Sequence, residues 1–212
     1  NSLNGKIQRT WDYPIGQASS KGTLLYKIKN EHYLLTTSTI SLPIKVYSLN
    51  LSQPKININW SNNLHGQFVE GGINMDGDRI IIGTRDAPYS RGSLYLFNKE
   101  GEIKFGPEKT IDICNSKPII SDNFFIHGSH KFYNSQHANS IVKRNIINGQ
   151  ILWKNNIGFD TGYQTSNLFH YNNDSHEDIA VYKNDPRTTF ILDGKNGEII
   201  DQKDGILLEF ID

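Results

Sequence analysis

Three histidines, His127, His130 and His137, crowd one stretch of the 212-residue chain, and three imidazoles could hold zinc. Their setting argues otherwise. His127 ends a strand-like run, His130 and His137 fall in a long loop, and no spacing among them fixes a tetrahedron. They are read as polar loop histidines. Ser, His and Asp all occur, but no nucleophile-elbow pattern frames any Ser. Carboxylate pairs for glycosidic chemistry are defined by geometry rather than spacing. No catalytic residue is assigned.

Recognition is the chemistry that the residue types suit better. Arg85–Gly92, Ser129–Asn139 and Asn155–Thr165 are long, polar and seeded with Arg and aromatic side chains. Such side chains on elaborated loops over a rigid scaffold form binding surfaces. The candidate binding residues are Arg85, Tyr89, Arg91, His130, Tyr133, Phe159 and Tyr163, with a protein or glycan as ligand. The competing reading is irregular packing, with the Tyr and Phe rings tucked under their own loops.

The elements that must position these loops recur with a period. Gly101, Gly149 and Gly197 sit in similar polar turns between strand-like runs, at 149 − 101 = 48 and 197 − 149 = 48. Two further steps back land on Gln53 and on Gly5. A period in this range signals a propeller, solenoid or array. Helix-period stripes are scarce, and short runs of Ile, Val, Leu, Tyr and Phe bounded by Gly, Asn, Asp and Ser read as strands. Each repeat divides into four strands. The second is nearly all apolar: Tyr33-Leu34-Leu35, Ile80-Ile81-Ile82, Phe124-Phe125-Ile126 and Ile179-Ala180-Val181. A strand apolar on both faces is covered on both faces, which radial stacking of blades provides. The fold class is therefore all-β, a β-propeller of four-stranded antiparallel blades at about 48 residues each. The blades fall near 22–61, 69–106, 114–155 and 164–202, with partial strands at 1–12 and 206–212. Nothing supplies the middle strands of a fifth blade, so the chain is read as a segment of a larger propeller or polypeptide.

Composition narrows the function classes. Lys plus Arg equals Asp plus Glu, 22 against 22, so no net field favours nucleic acid. No apolar run approaches the roughly 20 residues of a membrane-spanning helix, and no membrane insertion is expected. The lone Cys114 permits no intramolecular disulfide and is read as a buried thiol. The start at Asn1 without Met points to a mature secreted protein, a proteolytic product or an excised piece, and an extracytoplasmic location is expected.

Asn145–Trp153 resembles the docking motif of quinoprotein-alcohol-dehydrogenase-like (PQQ-like) propellers, in which an Asp, a Thr-Gly turn and a Trp tie adjacent blades together. Asn145 stands at the Asp, Asn148 at the Thr, and Trp153 at the Trp. The fourth repeat keeps Asp193 and Gly197 but has Asp201 at the Trp position, and the second has Phe105 there. Trp11 and Trp60 fall one or two places late. One Cys and one Met offer none of the paired sulfurs that the quinone enzymes use, so no PQQ is expected.

His170–Val181 resembles the calcium-loop repeat of integrin-alpha-type (FG-GAP/VCBS) propellers. His170 stands for its first Asp and Ser175 for its Gly. The resemblance puts Asn172, Asp174 and Asp178 on ligand positions and implies Ca2+. A self-bonded Asx turn is the other reading of this loop. Together these features describe a non-catalytic interaction module. The alternative is the propeller part of a larger enzyme, of polysaccharide lyase or quinoprotein type, whose chemistry lies elsewhere.

Overall fold

The structure, a computed structural model, describes residues 18–38, 44–53, 55, 57–65, 69, 72–84, 92–110, 118–128, 140–156, 165–183 and 187–205. Among these residues there is no helix, and so none long and apolar enough to cross a membrane. The strands form four antiparallel sheets of four, each a simple meander. The first holds β1 (Ala18–Ile28), β2 (Glu31–Ser38), β3 (Ile44–Asn50) and β4 (Asn57–Leu64). The second holds β5 (Ile73–Asp76), β6 (Arg79–Gly83), β7 (Gly92–Asn98) and β8 (Ile103–Thr110). The third holds β9 (Ile119–Ile120), β10 (Phe124–Gly128), β11 (Ile141–Asn145) and β12 (Ile151–Asn155). The fourth holds β13 (Thr165–Phe169), β14 (Asp178–Lys183), β15 (Thr188–Leu192) and β16 (Ile199–Asp204).

The second strands explain how the sheets stack. Ile80, Ile81 and Ile82 of β6 are all fully buried. Ile80 and Ile82 pack into a core shared with Tyr33, Leu35 and Val46 of the first sheet, whereas Ile81 packs with Phe125 of the third. On β10, Phe125 faces the second sheet and Ile126 packs with Ile179 and Val181 of the fourth. Because strand side chains alternate, a run of β-branched residues feeds two cores at once. At the inner edge β5 lies between β1 and β9, and Asn74 Nδ2 donates to the Pro118 carbonyl at 2.7 Å. The result is the bladed, all-β architecture that the repeat predicts. The end strands expected over 1–12 and 206–212 lie outside the described residues.

One irregularity is common to all four sheets. Beside the turn, opposite each third strand, the fourth carries an extra residue, a β-bulge. Leu49 pairs with Ile58 and Ser48 with Trp60; Phe97 pairs with Ile103 and Leu96 with Phe105. In the other two sheets Arg144 pairs with Ile151 and Lys143 with Trp153, and Leu192 pairs with Ile199 and Ile191 with Asp201. Trp60, Phe105, Trp153 and Asp201 are therefore equivalent positions. Trp60 is late in sequence because the paired residues beside its bulge are further apart, 58 − 49 = 9, against 151 − 144 = 7, 199 − 192 = 7 and 103 − 97 = 6 in the other sheets.

Candidate functional site

In a meander the turns between first and second strands share one end of the blade with those between third and fourth. The loops from second to third strand and the connections between blades emerge at the other end. The described residues contain most of the turn end, and they show how the blades are fastened.

Each aromatic at the bulge position lies against a glycine in the next blade's turn. A Cβ built on Gly101 would fall 2.4 Å from the Trp60 ring, one on Gly149 2.0 Å from Phe105, and one on Gly197 2.5 Å from Trp153. All three glycines have positive φ, at 86°, 70° and 75°. Left-handed backbone and absent side chain are both required there. The indoles also donate hydrogen bonds, Trp60 Nε1 to the Lys99 carbonyl at 2.8 Å and Trp153 Nε1 to the Gly194 carbonyl at 3.0 Å. Two residues further on, Asn62 Nδ2 donates to the Gly101 carbonyl at 2.5 Å and Asn155 Nδ2 to the Gly197 carbonyl at 2.6 Å.

Between the second and third blades the fastening changes. Pro107 takes the place of the asparagine and has no donor. The Gly149 carbonyl instead accepts from Arg144 Nη1 at 2.8 Å, within its own sheet. Arg144 Nη1 also lies 3.5 Å from Glu108 Oε1, and its Nε donates to His127 Nε2 at 3.1 Å. Burial depresses the guanidinium below its usual range, offset by Glu108. Burial, with the Arg144 charge beside it, drives the His127 imidazole down to about 3. His127 is therefore neutral, with Nε2 as acceptor. At the turns themselves Arg79 Nη1 donates to the Asp122 carbonyl at 2.5 Å.

Lys143 points the other way, towards the fourth blade. Its Nζ sits 3.8 Å from the Phe124 ring centroid and donates to the Gly194 carbonyl at 2.6 Å. Burial lowers its pKa, against the pull of Glu177, Asp193 and Asp178. Lys143 and Arg144 thus face opposite sides of β11, as strand alternation requires, and each holds one blade joint. From sequence Lys143 and Arg144 read as a strand pair on opposite faces and not as a basic patch. Their burial leaves no local signal. The asparagines did leave one, in Trp60-Ser61-Asn62 and Trp153-Lys154-Asn155.

Asn172 and Asp174 lie in the loop between β13 and β14, and Asp178 opens β14. Asp178 is fully buried; its Oδ2 accepts from the Tyr171 nitrogen at 2.8 Å and its Oδ1 from the Gly194 nitrogen at 2.9 Å. Asn172 Oδ1 accepts from the Asp174 nitrogen at 3.1 Å, and Asp174 Oδ1 from the His176 nitrogen at 2.6 Å. These are Asx-type bonds. Among the described residues no group of three His, Cys, Asp or Glu side chains is arranged to hold a metal. At the equivalent of the docking aromatic, Asp201 accepts from the Tyr171 hydroxyl and from Lys203 Nζ. Lys203, and after it Tyr171, hold its carboxyl down to about 2. Arg85, Tyr89, Arg91, His130, Tyr133, Phe159 and Tyr163 lie outside the described residues, as do His137 and Cys114.

No protein-family model matches the sequence, and no curated protein matches it. Among solved structures the chain is similar to BamB from Moraxella catarrhalis, at 15% identity and a TM-score of 0.53, over 89% of this chain and 49% of that one. It also aligns with a europium-containing methanol dehydrogenase, at 9% identity and a TM-score of 0.46, over 90% of this chain and 53% of that one. A third is Saccharomyces cerevisiae Sqt1, at 9% identity and 0.49, over 81% and 45%. The likeness to BamB shows the fold alone, a β-propeller. The chain spans about half the length of these three.

Proposed function

We propose that the chain is a non-catalytic propeller module that binds a protein partner through its loop end, and that it works outside the cytoplasm. A glycan is the other ligand class that Arg and aromatic side chains on loops suit. The observation that carries this reading is the use of the turn end: Trp60, Asn62, Lys143, Arg144, Trp153 and Asn155 all bond a neighbouring turn or joint. Recognition is then left to the end where Arg85, Tyr89, Arg91, His130, Tyr133, Phe159 and Tyr163 fall by connectivity. Alanine at Tyr89 and Tyr133 should weaken partner capture and leave the melting temperature unchanged. Capture equal to that of the wild type rejects this face.

The second reading is a propeller section within a larger enzyme whose reacting groups lie outside this stretch. Activity in the full-length chain that survives alanine at the seven loop residues would select it. Calcium at Asn172, Asp174 and Asp178 is a further proposal, supported by the spacing of three oxygen-bearing side chains within seven residues. A cation held only by the folded form must raise its melting temperature. A melting temperature indifferent to chelator discards it.

A further inference from the structure

The turns of the third and fourth blades each place an asparagine directly before the joint glycine, Asn148–Gly149 and Asn196–Gly197. In an Asn-Gly pair the glycine nitrogen can reach the asparagine amide carbon without hindrance from a side chain. Both asparagines are exposed to water. Both attacking nitrogens are nevertheless engaged: Gly149 N donates to the Asn145 carbonyl at 2.9 Å and Gly197 N to the Asp193 carbonyl at 2.8 Å. The amides are held as well. Asn148 Oδ1 accepts from the Gln150 nitrogen at 3.0 Å, and Asn196 Oδ1 from the Glu198 nitrogen at 2.8 Å. Asn196 Nδ2 also donates to Glu198 Oε2 at 3.2 Å. Above each glycine lies the ring from the preceding blade, Phe105 or Trp153.

We infer that Asn148 and Asn196 are conditional deamidation sites, closed while their blade joint is made and open when it parts. In the open turn the glycine nitrogen gives its proton to solvent and bonds to Cγ of the asparagine. The bond from Cγ to Nδ2 breaks, and ammonia leaves with one added proton. Water then opens the succinimide at either carbonyl, giving Asp or isoaspartate. No electrons are exchanged. Isoaspartate lengthens the main chain by one carbon, so the turn that received Phe105 or Trp153 does not re-form. A transient parting of two blades becomes permanent.

The test compares the folded chain with the same chain in urea at mildly alkaline pH, following each site by peptide mass spectrometry. Both asparagines should convert about tenfold more slowly, or slower still, in the folded chain, because reaction awaits local opening. Asn155→Ala removes the bond to the Gly197 carbonyl and should speed conversion at Asn196 while leaving Asn148 unchanged. Equal rates in folded and unfolded chain overturn the inference. So does an Asn155→Ala rate at Asn196 equal to that of the wild type.

Discussion

The indole of Trp153 fills the space that a side chain at residue 197 would need, and Gly197 has none to offer. The same relation joins Trp60 to Gly101 and, with a smaller ring, Phe105 to Gly149. Three successive blades are thus fastened to the next by an aromatic on a bare turn.

Trp153 is buried among Ile119, Ile126, Ile179 and Leu192. Trp153→Ala should cost about 3–5 kcal/mol, the usual range for emptying a large aromatic site. Denaturant unfolding checks this, and a loss under about 1 kcal/mol would mean that the joint contributes little to stability.

Two glycines separate backbone strain from collision. Gly77 has φ of 55° and open space around it, whereas Gly149 has φ of 70° and the Phe105 ring against it. Gly77→Ala should cost about 1 kcal/mol, the left-handed strain alone. Gly149→Ala should exceed that by about 1–3 kcal/mol of overpacking. Urea midpoints of the two variants give the comparison.

Asp178 organises the fourth blade from within by accepting the backbone N–H groups of Tyr171, Asn172 and Gly194. Asp178→Ala leaves those donors without their acceptor, at about 1–3 kcal/mol for each one that stays buried. Asp178→Asn keeps one acceptor oxygen and should lose less. Thermal melts in the presence of chelator isolate this effect from any cation.

Acid should loosen the joint between the second and third blades. The folded pKa of His127 is about 3, against 6.5 for the free side chain. Below pH 6.5 the unfolded chain takes up a proton that the folded chain refuses until about pH 3. The contribution is therefore intact above pH 6.5 and lost as pH falls towards 3, at up to about 1.4 kcal/mol per unit. His127→Gln keeps an acceptor for Arg144 and should show a shallower loss between neutral and acid pH in urea unfolding.

Much of this architecture is visible in the sequence, because glycines in like turns and apolar second strands are local signals. The joint at Trp60 was not, since counting from Gln53 fails across the longer turn; only the bulge restores the register. Lys143 and Arg144 are legible as an alternating pair but not as buried, because burial of a cation depends on partners about 50 residues away, such as Gly194 for Lys143. Asp178 reads as a ligand in sequence and serves as a backbone acceptor in the fold. The loop residues proposed for binding have only composition and connectivity behind them.

Among the described residues the aromatic fastenings all sit on a single rim. The opposite rim is thereby free to be rewritten: foreign segments grafted between β6 and β7, or between β10 and β11, lengthen that edge without disturbing one indole or one glycine platform. Such a scaffold can acquire new specificities by insertion while its framework stays the same.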